Sequence, residues 1–142
     1  MKVCKNFILQ EFVSKAIFEK WGAKSLWFVD ERIIFLAQFL RDHFASPIII
    51  NDWVRGGLFH FRGYRSPEVA TGAALSQHKF GRAIDINVSG ISPQLVYAEI
   101  KKMEGVFKTA GLSAMEYFED TPTWTHLDIR QTNLKSILII KP

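Results

Sequence analysis

The chain has 142 residues, a formal net charge of +4 and one cysteine, Cys4. This length suits one domain that buries roughly 70% of its unfolded surface, and a lone cysteine excludes an internal disulfide. The amino terminus has no apolar run of signal-peptide length, and no stretch reaches about 18 consecutive apolar residues. We therefore expect a monomeric single domain over residues 1–142 that is made in the cytoplasm, without a signal peptide or a membrane span.

Helical and strand-like patterns alternate along the chain. Apolar stripes predict three helices with Ser14, Asp30 and Ser92 as their N-caps, over 14–22, 30–44 and 92–111. Strand-like runs occupy 48–51, about 57–61, 83–88, about 113–118 and 125–130. We predict an α+β domain in which helices pack against a mixed or antiparallel sheet. The aperiodic segment 61–77 is long for a connecting loop, and loops of that length are usually functional.

Two of the predicted strands carry polar side chains on the face opposite their apolar residues. Asp85 alternates with apolar residues in 83–88, and His126 does so in 125–130, so both side chains leave the core face. His78 lies just before the first of these strands. Two imidazoles and one carboxylate are a ligand set of hydrolytic zinc sites, which keep a further position for water. The sequence therefore predicts that His78, Asp85 and His126 bind Zn²⁺.

These residues resemble a motif of the zinc D-alanyl-D-alanine carboxypeptidases and L-alanyl-D-glutamate endopeptidases, a family that shares its fold with the amino-terminal domain of hedgehog. The motif reads Ser-x-His, three residues to Gly, Ala-x-Asp, and later a His in a strand. This sequence has Ser76, His78, Gly81, Ala83, Asp85 and His126 in those places. The segment 63–67, Gly-Tyr-Arg-Ser-Pro, resembles a second family segment. The resemblance covers roughly 30–132 and implies a hedgehog-like fold and a zinc peptidase that acts on cell-wall peptides.

The resemblance also suggests roles for residues around the metal. It implies that Arg65 reaches the substrate, where a planar guanidinium suits a carboxylate or the scissile carbonyl. Ser76 could bind the substrate or stabilise a turn, and Trp124 could wall the cleft or pack. The basic residues of the neighbourhood suit an anionic substrate: Arg55, Arg62, Arg65, Lys79 and Arg82.

The general base is the point at which this chain departs from many relatives. These have an acidic residue three positions before the last histidine, where this chain has Thr123. Asp120 resembles the acid of the hedgehog branch in its placement, but it could equally be an exposed turn residue. Asp128 could be the base or could orient a ligand histidine. Glu116 and Glu119 are further candidates.

Three functions compete. The leading expectation is a zinc-dependent hydrolase that cuts an amide bond in peptidoglycan stem peptides, as a carboxypeptidase or an endopeptidase. This function would fit a phage lysis enzyme, or a protein of mobile-element origin, that acts on the cell wall after its release from the cytoplasm. The alternative is a catalytically inactive zinc-containing binding or structural module of the same fold. Nucleic-acid binding is not expected, because the run with Phe59, Phe61 and Tyr64 lacks the full pattern of an RNA-binding strand.

Overall fold

The structure is a computed structural model that describes residues 1–141. Within these residues the α-helices are α1 (Lys15–Trp21), α2 (Glu31–Phe44), α3 (Pro93–Lys102) and α4 (Glu104–Thr109). The strands are β1 (Ile48–Ile49), β2 (Ala83–Val88), β3 (Ala114–Glu116), β4 (Thr125–Asp128) and β5 (Leu138–Ile140). Short 3₁₀ helices cover Leu9–Glu11, Gly22–Phe28, Trp53–Arg55 and Gln77–Phe80.

The five strands form one sheet in the order β1-β2-β4-β3-β5. The pairs β1–β2, β2–β4 and β3–β4 are antiparallel, whereas β3–β5 is parallel. The sheet is therefore mixed, and the predicted α+β class of a single domain with a mixed sheet is confirmed.

The hydrophobic core lies on one face of this sheet. Ile84 and Ile86 of β2 and Leu127 of β4 are fully buried there, as their alternation with polar residues predicts. Helices α2 and α3 both contact β2, and α3 also contacts β4. The core thus packs against one face of β2 and β4 and leaves their polar side chains on the other face.

The predicted helix starts are confirmed, but the third helix is interrupted. The Ser14 and Ser92 side chains accept hydrogen bonds from the first turns of α1 and α3, and Asp30 does so for α2. Where a single helix over 92–111 is predicted, Met103 adopts φ −114° and ψ 38° and separates α3 from α4. Glu104 at the start of α4 accepts a hydrogen bond from the distant Ile137 N–H at 2.6 Å, a contact that helical periodicity does not reveal.

The predicted strand over 57–61 is wrong, because this segment is an irregular loop. Its conformation is set by Asp52, whose Oδ1 accepts a hydrogen bond from Phe59 N–H at 2.8 Å and whose own N–H donates to the Phe59 carbonyl at 3.1 Å. These bonds close the segment into a loop, which does not pair with a strand. Strand β5, in contrast, has no counterpart among the predicted strands.

Candidate metal centre

Three ligand atoms of the predicted zinc site converge on one point. His78 Nε2 lies 3.2 Å from Asp85 Oδ1, His126 Nδ1 lies 2.9 Å from the same oxygen, and the two nitrogens are 3.2 Å apart. The residues are 2%, 7% and 6% exposed, respectively. The structure therefore brings together His78, Asp85 and His126 as a buried group that could hold a metal ion.

The sheet positions two of the three ligands. Strands β2 and β4 pair with Asp85 directly opposite His126, and directly opposite residues of an antiparallel pair point to the same face. His78 comes from the 3₁₀ helix Gln77–Phe80, which precedes β2. A carboxylate and an imidazole from neighbouring strands thus meet an imidazole supplied by the preceding turn.

Gly81 allows this turn to approach the rest of the fold. Its φ of +67° is left-handed, and a Cβ at this position would lie 2.0 Å from the Phe28 carbonyl oxygen. Only glycine satisfies both conditions without strain. The glycine of the sequence motif therefore has a structural task, because it lets the segment with His78 turn back against 28–29 and enter β2.

Hydrogen bonds fix which nitrogen of each ring faces the metal position. His78 Nδ1 lies 2.8 Å from the Gly63 carbonyl oxygen, which can only accept, so Nδ1 carries the hydrogen. His126 Nε2 lies 3.0 Å from Asp128 Oδ2 and donates to it. In the neutral rings, the lone pairs of His78 Nε2 and His126 Nδ1 then point at each other and at Asp85. Such outer partners orient metal-binding histidines in proteins.

The donor set fits a zinc ion. The three atoms face each other at 2.9–3.2 Å, and either a ring proton or a metal ion between them would satisfy the Asp85 oxygen. Tetrahedral zinc with bonds of about 2.0 Å holds its ligand atoms about 3.3 Å apart, close to the observed spacing. Two imidazole nitrogens and one carboxylate oxygen leave a further position for water, as in catalytic zinc sites.

The electrostatics of the group also favour a positive charge. Burial works against the ionised carboxylate of Asp85, but His78 and His126 outweigh it and hold the pKa of Asp85 well below its usual range. Burial opposes the charged ring of His126, yet Asp128 and Asp85 together raise the pKa of His126 to about 9. The two carboxylates thus stabilise positive charge on the His126 ring.

Arg65 holds the ligand carboxylate in place. Its Nη2 donates to Asp85 Oδ2 at 3.0 Å, and its Nε donates to the Phe61 carbonyl at 2.6 Å. Asp85 Oδ2 is therefore engaged, and Oδ1 is the oxygen presented to the histidines. The Nη1 end lies beside Gly72, where a Cβ would come within 2.9 Å of it. Arg65 thus contacts Asp85 and also borders the adjoining cleft.

The group opens into a cleft of about 490 Å³. The lining includes the predicted substrate-binding residues Arg65, Ser76 and Trp124. Residues 71–73 and 75–77 contribute much of it, so the long aperiodic segment forms part of the site. Further lining comes from Glu116, Arg130 and Ile140.

Glu116 is the acidic residue that joins the metal group in this cleft. Strands β3 and β4 pair with Met115 opposite Leu127. When this antiparallel register is extended by one residue, Glu116 lies beside His126. A row across the sheet therefore runs Asp85, His126, Glu116. The alternation of Ala114 and Glu116 with buried Met115 could have shown that this carboxylate shares the cleft face, but not that β3 lies next to β4.

The other candidate bases lie elsewhere. Asp128 is fully buried and binds His126 and Arg130, so it fixes the orientation of the His126 ring. Glu119 and Asp120 are exposed in the turn between β3 and β4, and neither is among the residues that line the cleft.

Two of the basic residues expected around the site are engaged at other places. Arg55 pairs with Glu11 at 3.0 Å, and Arg82 lies 3.5 Å from Asp30. Of the five residues in that set, Arg65 lines the cleft. The second arginine of the cleft is Arg130, which lies two residues after the end of β4 and to which the sequence pattern assigned no role.

Comparisons of the chain with family models, with curated proteins and with solved structures find no match. Among the helices of residues 1–141, none is long and apolar enough to cross a membrane.

Proposed function

We propose that the protein is a zinc-dependent hydrolase that cleaves an amide bond in peptidoglycan stem peptides, with the hedgehog-like fold that its motifs suggest. One observation carries the proposal: the buried group of His78, Asp85 and His126 shares a cleft with the carboxylate of Glu116. The motif resemblance supplies the substrate class. A metal position that opens to solvent beside a carboxylate is the arrangement that hydrolysis requires.

Each group of the cleft has a task in this reaction. When bound, zinc lowers the pKa of a coordinated water molecule to about 7 and polarises a carbonyl. Glu116 accepts a proton from the attacking water on a carboxylate oxygen and returns it to the amide nitrogen as the C–N bond breaks. Arg65 donates through Nη1 to the carbonyl oxygen as negative charge develops there. The water oxygen forms the new C–O bond, and its second proton also passes to the leaving nitrogen. The products are therefore a carboxylate and an ammonium group, so atoms and charge balance.

The remaining cleft residues position the peptide. Trp124 offers an apolar wall, and Ser76 offers a hydroxyl in the loop that covers Arg65. In a phage lysis enzyme, or in a bacterial protein of mobile-element origin, the chain would reach this substrate after release from the cytoplasm.

The test is hydrolysis of purified peptidoglycan. Zinc-loaded protein is incubated with sacculi, and released peptides and new amino termini are identified by mass spectrometry, which also separates endopeptidase from carboxypeptidase products. New termini that form with the wild type and disappear with a chelator support the proposal. The absence of new termini on every peptidoglycan type, with zinc bound, contradicts it.

A second candidate is an inactive zinc-containing module that binds the same peptides. The observation in its favour is Thr123, which stands where many relatives have their acid. Thr123 contributes its carbonyl oxygen to a 2.7 Å hydrogen bond from Asn87 Nδ2. Retained binding of peptidoglycan without hydrolysis would select this candidate.

A further inference from the structure

Arg130 is held beside the metal group by a buried carboxylate. Its Nε donates to Asp128 Oδ1 at 2.8 Å, and its Nη2 donates to Asp128 Oδ2 at 2.5 Å. Its backbone N–H also donates to Asp128 Oδ1 at 3.1 Å. Asp128 is fully buried and bound to His126, so the guanidinium has a rigid support that is linked to a metal ligand.

The opposite edge of this guanidinium remains free. Among residues 1–141, no side chain or carbonyl forms a hydrogen bond with Arg130 Nη1, and the residue lines the cleft. The Arg130 side chain is 31% exposed, whereas that of Arg65 is 10% exposed. Arg130 is therefore the more open of the two arginines, and its free edge can receive an anion from solvent.

We propose that Arg130 binds a carboxylate of the substrate next to the amide that is cleaved. The free edge of the Arg130 guanidinium, formed by Nη1 and Nη2, presents parallel N–H groups. This geometry suits the two oxygens of a carboxylate. Glu116 in the same cleft repels an approaching anion, and a fixed cation close to it offsets that repulsion. The inference rests on the proposed function and adds that the enzyme selects acidic peptides.

The recognised carboxylate has two sources in stem peptides. One is the terminal carboxylate, which lies next to the amide that a carboxypeptidase cleaves. The other is the carboxylate of an internal D-glutamyl residue, which lies next to the amide that an endopeptidase cleaves. Three synthetic stem peptides distinguish them. One has both carboxylates free, one has the terminal carboxylate converted to an amide, and one has the D-glutamyl carboxylate converted to an amide.

The peptides are tested against zinc-loaded wild type, Arg130→Gln and Arg32→Gln. Arg32 is a matched control, because its Nε and Nη2 bind Asp30 two residues away in the same bidentate manner, at 2.9 and 2.6 Å, but outside this cleft. Binding is measured by calorimetry, and kcat/KM is measured by chromatography of the products. Zinc content is measured for each variant.

In the wild type and in Arg32→Gln, amidation of one carboxylate should weaken binding and kcat/KM by about 10-fold to 100-fold. The amidated carboxylate that causes the loss identifies the source. In Arg130→Gln, the ratio of kcat/KM for the peptide with free carboxylates to kcat/KM for the amidated peptide should fall to near one, and so should the corresponding ratio of binding affinities. If Arg130→Gln still discriminates between the free and the amidated peptide as the wild type does, even at a lower overall rate, the proposal is overturned. Arg130 is then only a support of Asp128.

The two proposals fail in different ways. Binding that depends on the carboxylate and on Arg130, without turnover, supports the carboxylate site and contradicts the hydrolase. Turnover that ignores both carboxylates supports the hydrolase and overturns the role of Arg130. The absence of binding and of turnover with all three peptides contradicts both.

Discussion

Glu116 and His126 lie side by side on the cleft face of the sheet, since the antiparallel register of β3 and β4 places them on adjacent positions of neighbouring strands. Adjacent cross-strand residues have Cβ atoms about 5 Å apart. A carboxylate at this position can exchange a proton with water at the metal group. Under the proposed hydrolase function, the general base is therefore Glu116 in preference to Asp120, the candidate suggested by the hedgehog branch.

The replacement Glu116→Gln should keep zinc and lower kcat by about 10² to 10⁴, the usual contribution of a positioned general base. Glu119→Gln, three residues on in the exposed turn, is the matched control and should retain activity. Peptide release and zinc content are measured for both. A large loss in Asp120→Asn with full activity in Glu116→Gln would return the role to Asp120.

The replacement Asp128→Asn should weaken zinc affinity by roughly 10-fold to 100-fold, because the carboxylate that accepts from His126 Nε2 is lost. Competition with a chromophoric chelator measures the affinity. Asp120→Asn removes a carboxylate from the exposed turn and should leave the affinity unchanged. Normal zinc affinity in Asp128→Asn, combined with lost turnover, would indicate that Asp128 is itself the base.

The replacement Arg65→Lys should lower zinc affinity by about 10-fold and reduce turnover even at saturating zinc. A lysine ammonium cannot bind Asp85, reach the Phe61 carbonyl and donate to the substrate at the same time. Arg82→Lys is the control, because Arg82 lies next to the motif glycine but outside the cleft lining. Full turnover of Arg65→Lys at saturating zinc would exclude a substrate role and leave only the support of Asp85.

The replacement Gly81→Ala should lower the free energy of unfolding by about 2 to 4 kcal/mol, since it adds both left-handed strain and a clash with the Phe28 carbonyl. Gly90→Ala is the matched control: its φ is +75°, but nothing lies within 4 Å of the added Cβ. It should cost about 1 kcal/mol. Urea unfolding in the presence of a chelator removes the contribution of metal. Equal losses of unfolding free energy in the two variants would show that the backbone relieves the contact between residue 81 and the Phe28 carbonyl at little cost.

The parts of the site that local patterns control were predictable. Alternation in β2 and β4 placed Asp85 and His126 off the core face, and the Ser-x-His motif added His78. The structure confirms that these three side chains meet. The helix caps at Ser14 and Ser92 were predictable for the same reason, because capping depends on residues only a few positions apart.

What depends on contacts between distant segments was not predictable. The position of Glu116 follows from the sheet order, in which β3 lies beside β4, and no local pattern encodes that order. The loop at 57–61 depends on Asp52, and the break at Met103 is followed by a contact to Ile137. Arg130 had no role assigned from the sequence, and its support by buried Asp128 required the structure.

Zinc stoichiometry decides whether His78, Asp85 and His126 form a zinc site. Protein is loaded with zinc, dialysed and measured by elemental mass spectrometry, for the wild type and for the double variant His78→Ala with His126→Ala. We expect about one zinc per chain in the wild type and a value near zero in the double variant. Full zinc occupancy in the double variant, or a wild type without zinc after loading, would show that these residues do not form a zinc site.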